Sequence, residues 1–406
     1  MTTQPLVLAG QYGSPYTLKM RAVLRYRHIP FRWMLRDSKW DDLPAPPVPI
    51  IPVIAYPNAD GGYGDITVDS SPQIMRLETE FERRSVIPVD PALSFIDALI
   101  EDYGDEWVTK AMYHYRWAYQ DDIDKAGNLL PVSRNLQLNS DQAKQAYDFV
   151  TTRQIGRREL VGSTELNQPI IESSYERLLD LLTQLFSTSD FLLGARPGRG
   201  DFGIFGQLTQ LVRWDPTPTA IAAKRAPKVI NWVDRIDDLS WLPVDDDDGW
   251  ATIDSLPPAT TLLLSEIGRT YAPFMVANAK ALLSGSDEVV CDIDGQTYRQ
   301  GPFKYQAKCL HWLREAYGQL ADADRERVDA VLAGTGCEVL VTDSISDRSC
   351  ETGGNPKGVA RCDGPVSSET LDSNGLSVSH ISDLGDVYFA KRSRSGRWCR
   401  RDGACS

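Results

Sequence analysis

The spacing of apolar residues in the first 84 positions predicts a small layer of strands and helices. Short apolar or alternating runs predict four β-strands, at 5–9, 31–36, 48–57 and 64–68. Apolar residues at helical spacing predict two helices, at 17–28 and 70–84. The resulting order is strand, helix, strand, and then strand, strand, helix. We therefore expect an α/β layer with its helices packed on a mixed sheet.

From about residue 90 the pattern changes to helical spacing almost throughout. Helices are predicted at 90–119, 140–160, 170–187, 201–213, 219–236, 258–284 and 303–335. One β-hairpin is predicted at 288–300, because alternating residues flank the turn-forming pair Asp294-Gly295. The second part of the chain is therefore expected to be an all-α domain with one small hairpin.

The segment after about residue 340 is rich in Ser, Gly and Asp and has no lasting periodicity. It holds too little apolar surface to offset the entropy cost of ordering, so an irregular or disordered tail is predicted. The chain thus divides into three predicted parts: an α/β domain at 1–88, an all-helical domain at 89–340 and a tail at 341–406. The tail contains Cys350, Cys362, Cys399 and Cys405. Their spacing matches no common zinc pattern, which favours free thiols over a metal site or a disulfide.

Length, charge and composition narrow the function classes. A chain of 406 residues with 42% hydrophobic content is too long for one small core, which favours two or three domains. The net charge of −13 repels phosphate backbones and argues against a nucleic-acid partner. No apolar stretch reaches the ~18 residues that cross a bilayer, and the first residues lack the pattern of a signal peptide. A cytoplasmic protein with no membrane partner is therefore expected.

Four local sequence patterns resemble those of one family. They are SPYTLKMR at 14–21, IIPVIAYP at 50–57 with ITVDSSPQI at 66–74, LLGARPGRGDFGIFGQL at 192–208, and EDYGDEWVTKAMYHYRW at 101–117 with YQAKCLHWLREAY at 305–317. Together with the α/β layer and its helical continuation, they resemble the glutathione S-transferases. The fourth pattern resembles a long bacterial branch of glutathione-S-transferase-like proteins. The resemblance covers about residues 5–340 and implies a thioredoxin-like N-terminal domain, an all-α C-terminal domain, glutathione as co-substrate and, as a family expectation, a homodimer.

Ser14 is the residue that the resemblance implies for activating a thiol. A hydroxyl just before a helix N-terminus faces free backbone N–H groups and the positive end of the helix dipole, an environment that stabilises a thiolate. Tyr12 and Tyr16 are nearby alternatives for this role. A simple helix cap formed by Ser14 or Thr17 is a second interpretation, and both stay open. Positions 14 and 17 hold no cysteine, which argues against a glutaredoxin-type redox enzyme.

The resemblance implies that one strand of the α/β layer holds the middle of a glutathione molecule. A proline inside a central strand cannot donate to the sheet, and the resemblance to thioredoxin-like domains implies that Pro52 is a cis-proline at the start of its strand. Ile51 would then offer its backbone N–H and C=O to the cysteinyl unit of the ligand. Lys39, the single cation of the loop 37–47, is implied as the partner of the glycyl carboxylate.

The γ-glutamyl end of the ligand is assigned by the resemblance to Asp69 and Ser70. These two residues correspond to an acidic-serine pair of the family, with the carboxylate of the ligand at a helix N-terminus. Ser70 and Ser71 form an alternative register for the same pair. Ser71 as the helix cap before Pro72 would need no ligand, and this interpretation also stays open.

Aromatic residues are implied for the pocket that receives the second substrate. They are Tyr12, Tyr16, Trp107, Tyr113 and Trp117. Tyr113 and Trp117 are four residues apart on a predicted helix and share a face. A core between the two domains is the alternative role for the helical members of this set. No metal site is predicted.

Two function hypotheses follow. In the first, the protein is a glutathione transferase that ionises the glutathione thiol against Ser14 for attack on a small electrophile. In the second, the protein keeps the fold as a non-catalytic binding or assembly module. The second is motivated by the short, proline-rich loop 37–47 and by the altered acidic pair at 69–70. The sequence favours the first hypothesis and does not identify the electrophile.

Overall fold

The computed structural model describes residues 4–244 and 248–342. Its first six elements are β1 Leu6–Gly10, α1 Pro15–Tyr26, β2 Phe31–Leu35, β3 Val53–Pro57, β4 Tyr63–Val68 and α2 Ser70–Glu80. The strand order in the sheet is β2-β1-β3-β4. Strand β1 pairs in parallel with β2 and antiparallel with β3, and β3 pairs antiparallel with β4. The thioredoxin-like layer predicted from the sequence is confirmed.

The sheet has a core on each face, which explains the unbroken apolar run of β1. All five residues of β1 are buried. Leu8 belongs to the large core that continues into the helices, whereas Val7 and Ala9 belong to a small cluster on the opposite face. Just before β3, the Ile51–Pro52 peptide bond is cis, as the resemblance implied.

The described part of the chain after α2 is largely helical. It contains α3 Pro91–Tyr103, a π-helical turn Gly104–Val108, α4 Thr109–Ala118, α5 Gln120–Val132, α6 Ser140–Ile155, α7 Gln168–Leu185, α8 Arg199–Leu211, α9 Pro216–Arg225, α10 Pro227–Ile236, α11 Pro258–Ser284, α12 Lys304–Gly318, α13 Asp322–Leu332 and α14 Glu338–Val341. The helical continuation that the sequence predicted is therefore confirmed. The tail predicted at 341–406 lies outside the described residues except for positions 341 and 342.

Two predicted helices are divided in the structure. The prediction of one helix at 219–236 is wrong, because Pro227 has no N–H to continue α9 and instead begins α10. The prediction of one helix at 303–335 is also wrong. Helix α12 ends at Gly318, and α13 begins at Asp322 after a short break.

Helix α5 is missing from the sequence prediction. Its polar first turn and internal Gly127 weaken the helical pattern, because glycine is a poor helix former. The structure shows why glycine occupies this position. A Cβ atom at Gly127 would lie 2.5 Å from the Tyr147 ring and 2.6 Å from the Thr151 methyl group, so the glycine lets α5 and α6 approach closely.

The hairpin predicted at 288–300 is confirmed as β5 Val289–Ile293 and β6 Gln296–Gln300. Asp294 and Gly295 form its turn with φ angles of 57° and 74°. Positive φ at both central residues is the geometry that favours an Asp-Gly pair. Tyr298 of β6 is fully buried, with its ring centroid 5.6 Å from that of Phe274 on α11, so the hairpin is part of the helical core.

Helix α8 lies at the centre of the molecule, between α1 of the α/β layer and α3 of the helical part. Every residue from Gly200 to Leu211 is buried. Gly104, in the π-helical turn, lets the backbone approach α8, since a Cβ atom there would lie 2.8 Å from the carbonyl carbon of Gly203. The two parts of the fold are thus packed on one shared helix. None of the described helices combines the length and hydropathy needed to span a bilayer.

Candidate binding cavity between the two parts of the fold

A cavity of about 520 Å³ lies where the α/β layer meets the helical part. Its walls come from the start of α2, from α3 and the π-helical turn, and from α12. Four of the residues that the sequence assigned to glutathione line this cavity: Ile51, Pro52, Asp69 and Ser70. Tyr16, assigned to the substrate pocket, lines it too. The volume lies within the usual range of small-molecule sites.

Asp69 is held in an unusual backbone conformation at the entrance to α2. Its φ angle is 75°, in the region that non-glycine residues rarely occupy. In the described part of the chain its side chain makes no capping bond to α2. The carboxylate instead accepts a hydrogen bond from the Tyr305 hydroxyl of α12, with Oδ2 2.7 Å from the phenolic oxygen. Burial raises the pKa of Asp69. The carboxylate is thus directed across the cavity towards α12.

Ser70, the first residue of α2, is tied to a buried lysine of α1. The Lys19 Nζ atom donates to Ser70 Oγ at 3.2 Å, to Glu101 Oε1 at 2.7 Å and to Asp105 Oδ2 at 2.6 Å. Burial alone would lower the pKa of Lys19, but the carboxylates of Asp105 and Glu101 hold it well above its usual range. A single cation therefore joins α1, α2 and α3 beneath the cavity.

Ser71 also faces this cluster, because its hydroxyl donates to Glu101 Oε1 at 3.0 Å. The helix begins at Ser70 and its N-cap position is Asp69. The interpretation of Ser71 as the helix cap is therefore wrong. Both serines lie at the start of α2, whose first N–H groups have no partner within the helix.

Three acidic residues at the junction of α3 and the π-helical turn form one wall of the cavity. Burial is the main cause that raises the pKa of Asp102 to about 7, that of Asp105 to about 6, and that of Glu106 well above its ordinary value. Among the described residues, Asp105 Oδ1 and Glu106 Oε2 have no hydrogen-bond partner. This wall can therefore still accept hydrogen bonds or bind a cation.

Ser14 does not line the cavity. Its Oγ atom accepts a hydrogen bond from the Thr17 N–H at 3.3 Å, so it caps α1, and the residue is only 3% exposed. The adjoining Gly13 carbonyl accepts from Arg116 Nη1 of α4 at 2.9 Å. Arg116 is itself buried against Asp215, with 2.9 Å between Nη2 and Oδ2. The helical part therefore covers the turn before α1.

The remaining predicted residues are dispersed. Lys39 is exposed, with its ammonium 4.7 Å from the centre of the Trp40 ring. Tyr12 is exposed and its ring centroid is 5.3 Å from that of Trp33. Neither residue lines the cavity.

The three helical aromatic residues lie in the core. Trp107 donates from Nε1 to Ser174 Oγ at 3.2 Å, and Tyr113 donates to the Gln154 carbonyl at 2.9 Å. Trp117 packs with Tyr113 and Ile51 in a buried cluster. Of the predicted aromatic set, only Tyr16 is brought to the cavity.

The outer wall of the cavity comes from α12, which the sequence analysis did not assign to any site. Tyr305, Cys309 and Trp312 all line it. They are spaced four and then three residues apart, so they share one face of the helix. This spacing was visible in the sequence. The local pattern did not show what this face of α12 packs against, because Asp69, which Tyr305 contacts, lies more than 200 residues earlier in the chain.

Comparison with known proteins gives one family match. Residues 8–85 match the family model described as the N-terminal domain of glutathione S-transferase. A search of curated proteins found no significant match. The matched segment contains β1 to β4, α1 and α2, together with the cis-proline.

Several solved structures can be aligned with part of this chain at low identity. The beta-etherase LigF from Sphingobium sp. strain SYK-6 is 17% identical and is aligned over 58% of this chain and 95% of its own, with a TM-score of 0.39. A glutathione S-transferase from Methylobacterium radiotolerans JCM 2831, in complex with glutathione sulfonate, is 16% identical over 58% and 91%, with a TM-score of 0.32. A glutathione transferase family member from Pseudomonas fluorescens Pf-5, with two glutathione bound, is 13% identical over 58% and 88%, with a TM-score of 0.33.

The fold and the family match define the class of this protein. It combines a thioredoxin-like layer with a helical continuation and has a cavity between them. The match covers residues 8–85, and this part of the chain is similar to the N-terminal domain of the glutathione S-transferases.

Proposed function

We propose that the protein binds glutathione in the cavity between the α/β layer and α12. One observation carries this proposal: Ile51, the cis-proline Pro52, Asp69 and Ser70 all converge on that cavity. The backbone of Ile51 has no hydrogen bond within the described residues and is available to an extended peptide. The family match to the same domain supports the assignment.

The start of α2 provides the chemistry for the γ-glutamyl end of glutathione. The α-carboxylate binds at the free N–H groups of the first turn, where the helix dipole favours negative charge. The α-ammonium binds near Asp69 and Glu101, which line the same part of the cavity. The carboxylate of the ligand thus faces the positive end of the α2 dipole, and its ammonium group faces the acidic side chains of Asp69 and Glu101.

The geometry favours binding of glutathione over activation of its thiol. Ser14, the residue assigned to activation, is buried and already accepts the Thr17 N–H. A thiolate in the cavity would face the carboxylates of Glu101 and Asp105, and negative charges nearby raise the pKa of a thiol. The non-catalytic hypothesis is thus the one that the arrangement supports best.

Glutathione conjugation to a small electrophile is the second candidate. It is favoured by the position of Ser14 at the N-terminus of α1, where a free hydroxyl and the helix dipole would both stabilise a thiolate. This reaction requires Ser14 to leave its capping bond and the cover around Arg116 to open.

Calorimetric titration with glutathione tests the proposal. We expect binding by the full chain, and an affinity lowered about tenfold in Ser70→Ala, because one hydrogen bond to a charged group is worth about 1.5 kcal/mol. Lys39→Ala is the matched control, since Lys39 is exposed and outside the cavity, and it should bind as the unmodified chain does. Absence of heat at millimolar glutathione would overturn the proposal.

A second assay separates the two candidates. Turnover of glutathione with a chromogenic aryl halide is expected to be at background and unchanged in Ser14→Ala. Clear turnover that is lost in Ser14→Ala, with glutathione affinity retained, would establish the transferase and reject the non-catalytic form of the proposal.

A further inference from the structure

Two carboxyl groups and a thiol come together where the acidic wall of the cavity meets α12. Candidate ligand atoms of Asp102, Glu106 and Cys309 all lie within 4.8 Å of one another. Oxygen and sulfur ligands of one zinc ion lie about 2.0–2.3 Å from the metal, so side-chain movements of roughly 1 Å would bring the three onto a common ion. The three residues come from the end of α3, the π-helical turn and α12.

A second, independent observation points to a ligand at Glu106. It is only 6% exposed, it lines the cavity, and its Oε2 atom has no hydrogen-bond partner among the described residues. A buried carboxylate oxygen without a partner is costly, because it has lost its water and gained nothing in return. A cation in the cavity would satisfy it.

The nearby lysines do not supply that partner. Lys19 donates to Glu101 and Asp105, on the side of the cluster next to α1. Lys110 donates to Gln300 Oε1 at 2.6 Å, in the direction of the hairpin. Within the ranges 4–244 and 248–342, neither Asp102 nor Glu106 forms a salt bridge.

Asp102 is held as a metal ligand usually is. Its Oδ2 atom accepts a hydrogen bond from the hydroxyl of Tyr271, a fully buried residue of α11. Such outer hydrogen bonds orient a ligating carboxylate and leave its other oxygen for the metal. Cys309 lies on the cavity face of α12 and is also buried.

We propose that Asp102, Glu106 and Cys309 bind a zinc-type divalent metal ion on the wall of the cavity. A thiolate with two carboxylates favours a borderline-soft ion such as zinc over magnesium or calcium, which prefer oxygen ligands alone. Three protein ligands leave a fourth position open towards the cavity, as in catalytic zinc sites. The metal site does not depend on glutathione binding.

Cobalt titration of the metal-free full chain tests this site, because a cobalt–thiolate bond gives a near-ultraviolet charge-transfer band. All proteins in the test carry serine in place of Cys350, Cys362, Cys399 and Cys405, so that thiols outside the described residues do not contribute. We expect one cobalt ion per chain, with a band that zinc abolishes by displacement.

Three variants identify the ligands. Cys309→Ser should lose the band, and Glu106→Gln should bind cobalt at least about tenfold more weakly. Cys337→Ser is the matched control, since Cys337 is equally buried but its thiol donates to the Leu264 carbonyl, and it should keep the band. A circular dichroism spectrum checks folding of each variant.

Two outcomes would overturn the proposal: no charge-transfer band in the parent protein, or a band that Cys309→Ser leaves intact. If Cys309→Ser does not fold, the isosteric Glu106→Gln decides the question, and unchanged cobalt affinity in that variant would overturn the proposal. Because the readout is metal binding alone, failure of glutathione binding leaves its result unaffected.

Discussion

The two helices of the α/β layer both have a serine followed by a proline near their N-termini, but only the N-terminus of α2 is open to the cavity. Helix α1 follows Ser14 and begins with Pro15, and helix α2 follows Asp69 and begins with Ser70. The N-terminus of α1 is capped by Ser14 and covered by α4. The end of α2 has no side-chain cap among the described residues and opens into the cavity. The availability of a helix end for a ligand is therefore decided by the elements packed against it.

The covering of α1 depends on one buried ion pair. Replacing Arg116 with alanine removes the donor to the Gly13 carbonyl and leaves Asp215 buried without its cation. We expect a loss of about 3–5 kcal/mol in the free energy of unfolding, measured in urea. Arg213→Ala is the control, because Arg213 and Asp234 form a largely exposed pair, and it should cost below about 1 kcal/mol. Equal losses in both variants would contradict this account.

Lys110 of α4 is a buried lysine that forms no salt bridge among the described residues, in contrast to Lys19 and Arg116. Burial lowers the pKa of Lys110 to about 7, against 10.5 for the ordinary side chain. Between these values the unfolded chain binds more protons, so stability should rise with pH, by about 2 kcal/mol between about pH 7 and pH 9. Lys110→Met should remove this increment in urea unfolding at the two pH values. An identical pH dependence in the variant would show that Lys110 remains charged.

The contact between α12 and the N-terminus of α2 is tested by a substitution at Tyr305. Tyr305→Phe removes the hydrogen bond to Asp69 while keeping the ring in the cavity wall. We expect a loss of about 1–2 kcal/mol in unfolding free energy, because the bond involves a partly buried charged acceptor. Tyr317→Phe is a control on the same helix, since its hydroxyl contacts Asp329 at an exposed site, and it should change stability by below about 0.5 kcal/mol.

The smallest expected effect is at the cap of α1. Ser14→Ala should lower unfolding free energy by about 1 kcal/mol, since it removes the acceptor for the Thr17 N–H. Its affinity for glutathione in calorimetry should equal that of the unmodified chain. A glutathione affinity that falls tenfold or more would mean that Ser14 reaches the ligand and that α1 is open in solution.

The sequence predicted the parts of the fold that depend on neighbouring residues. The strands of the layer follow from apolar runs, and the hairpin turn follows from Asp294 and Gly295. The division at Pro227 was also encoded locally, since proline begins a helix more readily than it continues one. Helix α5 was missed because Gly127 weakens its helical pattern. Glycine is needed at this position because α5 packs closely against α6, a contact that the local sequence does not show.

Only the side of the cavity that the α/β layer contributes could be predicted from the sequence. Ile51, Pro52, Asp69 and Ser70 stand close together in sequence patterns, and all four line the cavity. The covering of Ser14 and the use of α12 depend on contacts between distant segments. The bond from Arg116 to Gly13 spans 103 residues, and no local periodicity contains it.

The hydrogen bond between Tyr305 and Asp69 joins residues 236 positions apart. During synthesis the α/β layer leaves the ribosome first and can fold while the rest of the chain is still being made. The wall that α12 contributes is absent at that stage, so the nascent layer exposes the start of α2 to solvent. The cavity therefore comes into existence only when one of the last described helices has been made. Ligand binding at this cavity would report that synthesis of the described chain is nearly complete.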